Sequence, residues 1–108
     1  MDRIDLSVIN GKKYKVLSGV DVGVAAREAF NLNLLDSQDN IVTFFVPEDV
    51  FSVNSSFFSG LFQISLKKMG EKKFREKYIF ECDDIIMMNI ENGIINIIKT
   101  SDLLGGQS

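Results

Sequence analysis

The apolar and polar positions change period several times along the chain, and each change predicts an element. "IDLSVI" (residues 4–9) alternates partly and predicts a strand; "KKYKVL" (12–17) predicts the returning one. Asn10-Gly11 lies between them, two residues that tolerate positive φ, which is the strongest short hairpin signal. In "DVGVAAREAFNLNLL" (21–35) the period becomes helical. Val24, Phe30, Leu34 and Leu35 form one stripe with the small Ala25 and Ala26. Asp21 is expected to cap this helix, and Gly23 to weaken its start. "DSQDN" (36–40) is a polar turn. "IVTFFV" (41–46) is a near-continuous β-rich run that suits a buried central strand, stopped by Pro47.

"EDVFSVN" (48–54) is expected to be a loop, with a second helix beginning near Ser55. Phe57, Phe58, Leu61, Phe62, Ile64 and Met69 give that helix a broad apolar face, and Gly70 is its expected stop. Adjacent phenylalanines cannot share one direction on a helix, so one of Phe57 and Phe58 is expected to be partly exposed. "EKKFREK" (71–77) predicts a short charged helical connection and "YIFEC" (78–82) a strand. "DDIIMMNIENGIINIIKT" (83–100) predicts a third helix, with Asp83 and Asp84 at its positive end and Gly93 as a soft spot. The order is β-β-α-β-α-β-α. It predicts an α/β sandwich: a mixed sheet of about four strands, an N-terminal hairpin followed by β-α units, with three main helices on one side. Residues 1–104 are expected to form a single domain, and 105–108 a flexible tail.

The 108 residues suit one core, and 45% apolar with 25% charged is a globular balance. A net charge of −3 gives no general push towards nucleic acid or an anionic membrane. "KKMGEKKFREK" (67–77) is rich in basic residues. Its interspersed glutamates, and the lack of an aromatic stacking set, favour a solvated surface. The single cysteine, Cys82, permits no internal disulfide and suits a reducing cytoplasm. No signal peptide is apparent at the N-terminus. The longest apolar-rich run, residues 85–98, is interrupted by polar residues and too short to span a bilayer.

The chain has no histidine, which excludes a Ser-His-Asp or Cys-His site within it and removes the commonest zinc ligand. Cys82 reads as a small buried residue, and Asp83 with Asp84 as helix-capping groups rather than metal ligands. Neither a catalytic set nor a cofactor is expected. No GxxxxGK[ST] loop is present. A small nucleotide- or ligand-binding domain working at the carboxyl ends of strands stays open as an alternative, as does a homo-oligomeric assembly module.

"DVFSVNSSFFSGLFQISLKKMG" resembles the segment of STAS-domain proteins in which a central strand runs through a small polar loop into a helix. The match is closest to the STAS-like family of unknown function, where serine precedes phenylalanine at this junction. "AAREAF", "IVTFFV" and "YIFEC" followed by "DDII" extend the resemblance over roughly residues 18–100. It implies a bacterial, cytoplasmic, non-catalytic regulatory module engaged in protein–protein interaction. Such a module is anti-sigma-factor-antagonist-like, and its partner is a histidine-kinase-type ATPase or a transcriptional regulator. Neither nucleic acid nor membrane is implied, and a homodimer is allowed.

In antagonists of this kind a serine or threonine at the start of the second helix is phosphorylated. Ser55 and Ser56 match that hydroxyl pair, with Ser56 at the acceptor position. Asn54 stands where the usual pattern has aspartate, and Phe57 where it has glycine. From the residues alone, plain helix capping is the favoured reading of both serines, and one can cap while the other is modified. Glu48, Asp49, Ser52, Asn54 and Phe58 are the candidate partner-binding residues. Arg27 matches an arginine common in the family; it reads as an exposed helix charge, with Asp49 as a candidate partner.

Overall fold

Asp5 ends the first strand early. Its carboxylate accepts from the backbone N–H and the hydroxyl of Ser7 at 2.9 and 2.6 Å, a side-chain turn that competes with strand pairing. The computed structural model, which describes the backbone of residues 2–105 and the side chains of residues 2–100, therefore divides the expected hairpin. β1 (Asp2–Asp5) leaves to pair in parallel with β5 (Val42–Phe45), while β2 (Val8–Ile9) and β3 (Lys12–Lys13) keep a short antiparallel ladder. Asn10 and Gly11 turn that ladder with φ of 53° and 80°, as the Asn-Gly signal requires. β4 (Val16–Leu17) pairs in parallel with β6 (Ser52–Val53), inside what reads as a loop.

β7 (Tyr78–Glu81) completes a three-stranded, wholly parallel sheet in the order β1-β5-β7. The expected mixed sheet of about four strands is thus replaced, among the described residues, by this sheet and two separate two-stranded ladders. The expected run "IVTFFV" does become the central strand. The register puts Ile4, Phe44 and Phe80 on one face, with Val42 and Tyr78. That face meets the helices. Phe62 lies 5.0–5.7 Å, ring centre to ring centre, from Phe44, Phe58, Phe74, Tyr78 and Phe80. The other face carries Arg3 and Glu81, which pair with each other, and Phe45 beneath the Arg3 guanidinium at 4.4 Å.

Four helices are present among the described residues: α1 (Val20–Ala29), α2 (Leu32–Ser37), α3 (Ser55–Lys77) and α4 (Asp84–Gly105). The first expected helix is two, because Asn31 adopts the left-handed conformation at φ 56°, ψ 49°. Asp21 lies in the first turn of α1 and is not its cap; the capping position is Gly19. Within α3 the backbone leaves helical geometry at Gly70 (φ 83°, ψ 163°), so two helical segments meet there at a kink: Gly70 stops the first and the charged stretch 71–77 forms the second, as expected. Gly105 ends α4, and the rest of the expected tail lies outside the described residues.

Burial departs from the expected stripes for one reason. Val24 and Leu34 are exposed, and the buried side of α1 is Gly23, Ala26 and Arg27. A Cβ on Gly23 would stand 2.2 Å from the Phe57 carbonyl oxygen, and one on Gly60 2.3 Å from that of Val20. The two helices touch backbone to backbone, so Gly23 is a contact rather than a weakness. α3 also packs on α4 and on the sheet, which is why Phe57 and Phe58 are both fully buried. Gly93 serves α4 in the same way: a Cβ there would stand 2.7 Å from the Phe58 ring.

Gly→Ala in an exposed helix stabilises by up to about 1 kcal/mol. Here the sign reverses: Gly23→Ala and Gly60→Ala each destabilise by roughly 1–3 kcal/mol or more, because the obstructing atoms are backbone. Urea denaturation of the two variants checks it.

Candidate functional site

The start of α3 is built by three elements. β6 delivers Asn54, whose N–H donates to the Leu17 carbonyl of β4 at 2.7 Å. Asn54 is extended (φ −78°, ψ 150°) and is the helix cap: its Oδ1 accepts from the Ser56 N–H and the Ser56 hydroxyl, both at 2.9 Å. The cap role open to the serines therefore falls to Asn54, one residue earlier. Ser56 Oγ in turn accepts from the Gly19 N–H at 3.0 Å, joining the first turns of α1 and α3. From α4, Asn89 Oδ1 accepts from the Val53 N–H at 2.8 Å and fixes β6 from the other side.

A cleft of about 290 Å³ opens there, lined by Ser52, Val53, Asn54, Ser55, Asn89 and Asn92. Its lining is free of charged side chains, and the helix end supplies partial positive charge from N–H groups without intrahelical partners. Ser55 and Ser56 thus have different places. Ser56 Oγ is held by two bonds, while the Ser55 side chain lines the cleft and has no hydrogen-bond partner among the described residues.

Of the candidate partner-binding residues, Ser52 and Asn54 lie at this cleft, and Glu48 and Asp49 stand exposed on the loop before β6. Asp49 pairs with Lys13 at 2.9 Å, and that hydrogen bond holds its carboxyl below the usual range. Phe58 is removed from any docking surface: it is wholly buried, locked among Phe62, Phe80 and Gly93. The asparagines of α4 escaped the sequence reading. Their signal was the polar pair Asn89 and Asn92, three apart on one face within an apolar run.

Arg27 is buried, and its partner is Asp36, not Asp49. The break at Asn31 turns α2 back so that Asp36 Oδ2 meets the guanidinium at 2.6 Å. Arg27 also donates to the Leu61 carbonyl at 3.0 Å, Ser65 Oγ at 2.8 Å and Asn33 Oδ1 at 2.9 Å. Asp36 accepts from Ser65 and from the Tyr78 hydroxyl as well. Burial, then the bond to Asp36, pushes the Tyr78 phenol far above its ordinary value.

A larger cleft of about 610 Å³ lies beside this cluster, at the amino ends of β5 and β7 rather than the carboxyl ends. Lys68, Lys73, Asp39 and Glu76 line it, and Lys77 there is already engaged by the Gln38 and Asn40 carbonyls. Cys82 is half-buried, and burial followed by Asp83 and Asp84 pushes its thiol up to about 11, unlike an activated nucleophile. Asp83 Oδ1 accepts from the Ile86 N–H at 2.8 Å and caps α4. Among the described residues no group of three or more Asp, Glu, Cys or His is placed to hold a metal ion.

Two substitutions separate the polar residues that build the site from those that only line it. Asn54→Ala removes the acceptor of both Ser56 bonds and costs about 1 kcal/mol, whereas Ser55→Ala changes stability by less than about 0.5 kcal/mol. Asp36→Ala strands a buried guanidinium and costs about 3–5 kcal/mol. Chemical denaturation measures all three. Compared with protein-family models, with curated proteins and with solved structures, the chain gives no significant match.

Proposed function

We propose that this chain is a non-catalytic regulatory module of the STAS-like kind. It binds a protein partner through the exposed residues of the 48–55 segment, Glu48, Asp49, Phe51 and Asn54, and the first turn of α3, and modification of Ser55 switches the interaction. The observation that carries the reading is the division of labour between the two serines. Ser56 is committed to the fold, and Ser55 opens on an uncharged cleft at a helix N-terminus. Phosphate on Ser55 adds about −1.5 to −2 charges where N–H groups favour an anion. The domain tolerates that charge, while a partner seated on the same surface faces a desolvated dianion.

The expected fold belongs to the same proposal: the STAS-like sandwich is our reading of the parallel sheet and its helices. A kinase-type ATPase or a transcriptional regulator is the partner class this reading implies, and the cytoplasm is its compartment. No helix among the described residues is long and apolar enough to cross a membrane.

A second reading is favoured by the 610 Å³ cleft, whose exposed Lys68 and Lys73 suit a small anionic ligand. A saturable thermal shift with one nucleotide supports that alternative.

Capture from native-cell extract tests the main reading. The wild-type chain and Ser55→Ala are expected to retain the same partner, and Ser55→Asp to lose at least about tenfold of it. Equal capture by Ser55→Asp, with the variant folded, defeats the switch.

A further inference from the structure

Helix α4 is apolar on two opposite sides. Ile86, Ile90, Ile94 and Ile97 face the core and are at most 3% exposed. Ile85, Met88 and Ile95 are 66%, 64% and 46% exposed. With exposed Asn92 and Lys99 they form a row at 85, 88, 92, 95 and 99, the alternating three-and-four spacing of a two-helix seam. The row lies about half a turn of the helix away from the core-facing isoleucines, by the geometry of 3.6 residues per turn. A helix apolar on both sides fits between two bodies, and the described residues of this chain supply only one of them.

We infer that the second body is another copy of this chain, docked antiparallel along α4 about a two-fold axis. Charge selects that occupant. Exposed Asp83 and Asp84 stand at the amino end of the row and Lys99 at its carboxyl end, with uncharged side chains at every row position from 85 to 95. An antiparallel pair sets Lys99 of each copy over the acidic end of the other. A parallel pair would stack aspartate on aspartate and lysine on lysine.

The row itself fits the same symmetry. With the axis level with Ile90, Ile85 meets Ile95 of the second copy and Met88 meets Asn92 of the second copy, so each layer contains an apolar side chain. Such a patch is self-complementary, as a two-fold interface must be. Asn92 also lines the cleft at the start of α3, where its amide keeps access to water at the border of the seam. The row is only about 20 Å long, from a rise of 1.5 Å per residue. It therefore forms a small interface and a reversible, concentration-dependent dimer.

Sedimentation velocity of the full chain over a concentration series tests this. The wild type is expected to show a monomer–dimer equilibrium. Met88→Glu weakens it by at least about tenfold, without lowering the melting temperature, because Met88 is exposed. Lys99→Asp weakens it about two- to fivefold, and adding Asp84→Lys restores it. A wild type that stays monomeric at the highest attainable concentration overturns the inference. So does a dimer indifferent to both Met88→Glu and Ile95→Glu. Failure of the charge swap to restore association overturns the antiparallel arrangement.

Discussion

The contact between Gly23 and Gly60 sets the positions of everything that matters at this surface. α1 and α3 run side by side in the same direction and meet at three successive levels. Gly19 bonds Ser56 at the first, Gly23 lies against Gly60 at the second, and Arg27 reaches Leu61 and Ser65 at the third. Residues 19, 23 and 27 are spaced by one helical turn, as are 56 and 60, so the levels share one register. A side chain at the middle level would push the helices apart. Ser56 would then lose Gly19, and the guanidinium would lose its acceptors on α3. The glycine contact is thus what lets a polar bond at one end and a buried ion pair at the other form together.

Arg27 and Asp36 show how a charge survives in such a core. Both side chains are almost entirely removed from water, at 7% and 0% exposure, which is costly unless each is paired and hydrogen-bonded. Asp36 is: arginine, serine and tyrosine donors surround its two oxygens. Arginine fills most of its own capacity, leaving only Nε without a partner. The ring of donors comes from α1, α3 and β7, so the ion pair fixes α2 against three elements at once. Apolar residues would fill the same space without dictating that direction. The left-handed Asn31 that turns α2 inward has its energetic justification in this network.

Local signals in the sequence suffice where one segment decides its own conformation. Asn10-Gly11 turns a hairpin, Pro47 follows the central strand, Asp83 caps α4, and α3 starts at Ser55. Other segments take a conformation that a distant segment decides. Nothing within "IDLSVI" announces that its first residues pair with Val42–Phe45, and nothing within "EDVFSVN" announces a ladder with Val16–Leu17. The amphipathic test also assumes a helix with one buried side. α3 has neighbours on several, so both Phe57 and Phe58 are buried, and the glycines that scored as weak points are its closest contacts. At the site, the serine pair was legible. The division between Ser55 and Ser56 was not, because Gly19 is 37 residues away from its acceptor.

The bond from Val53 to Asn89 ties the two proposed surfaces into one piece. β6 cannot shift without α4, and Asn92 belongs both to the row on α4 and to the cleft that Ser55 lines. In the antiparallel arrangement, Asn92 faces Met88 of the second copy, which brings that copy to the rim of the same cleft. A phosphate on Ser55 would then stand beside an apolar seam and attract the asparagine amides into hydrogen bonds of their own. Charge at that rim costs an apolar partner its dry contact, whichever protein supplies it. If both proposals hold, association of two copies and capture of a different protein would compete for one small region, and a single modified hydroxyl would act on both.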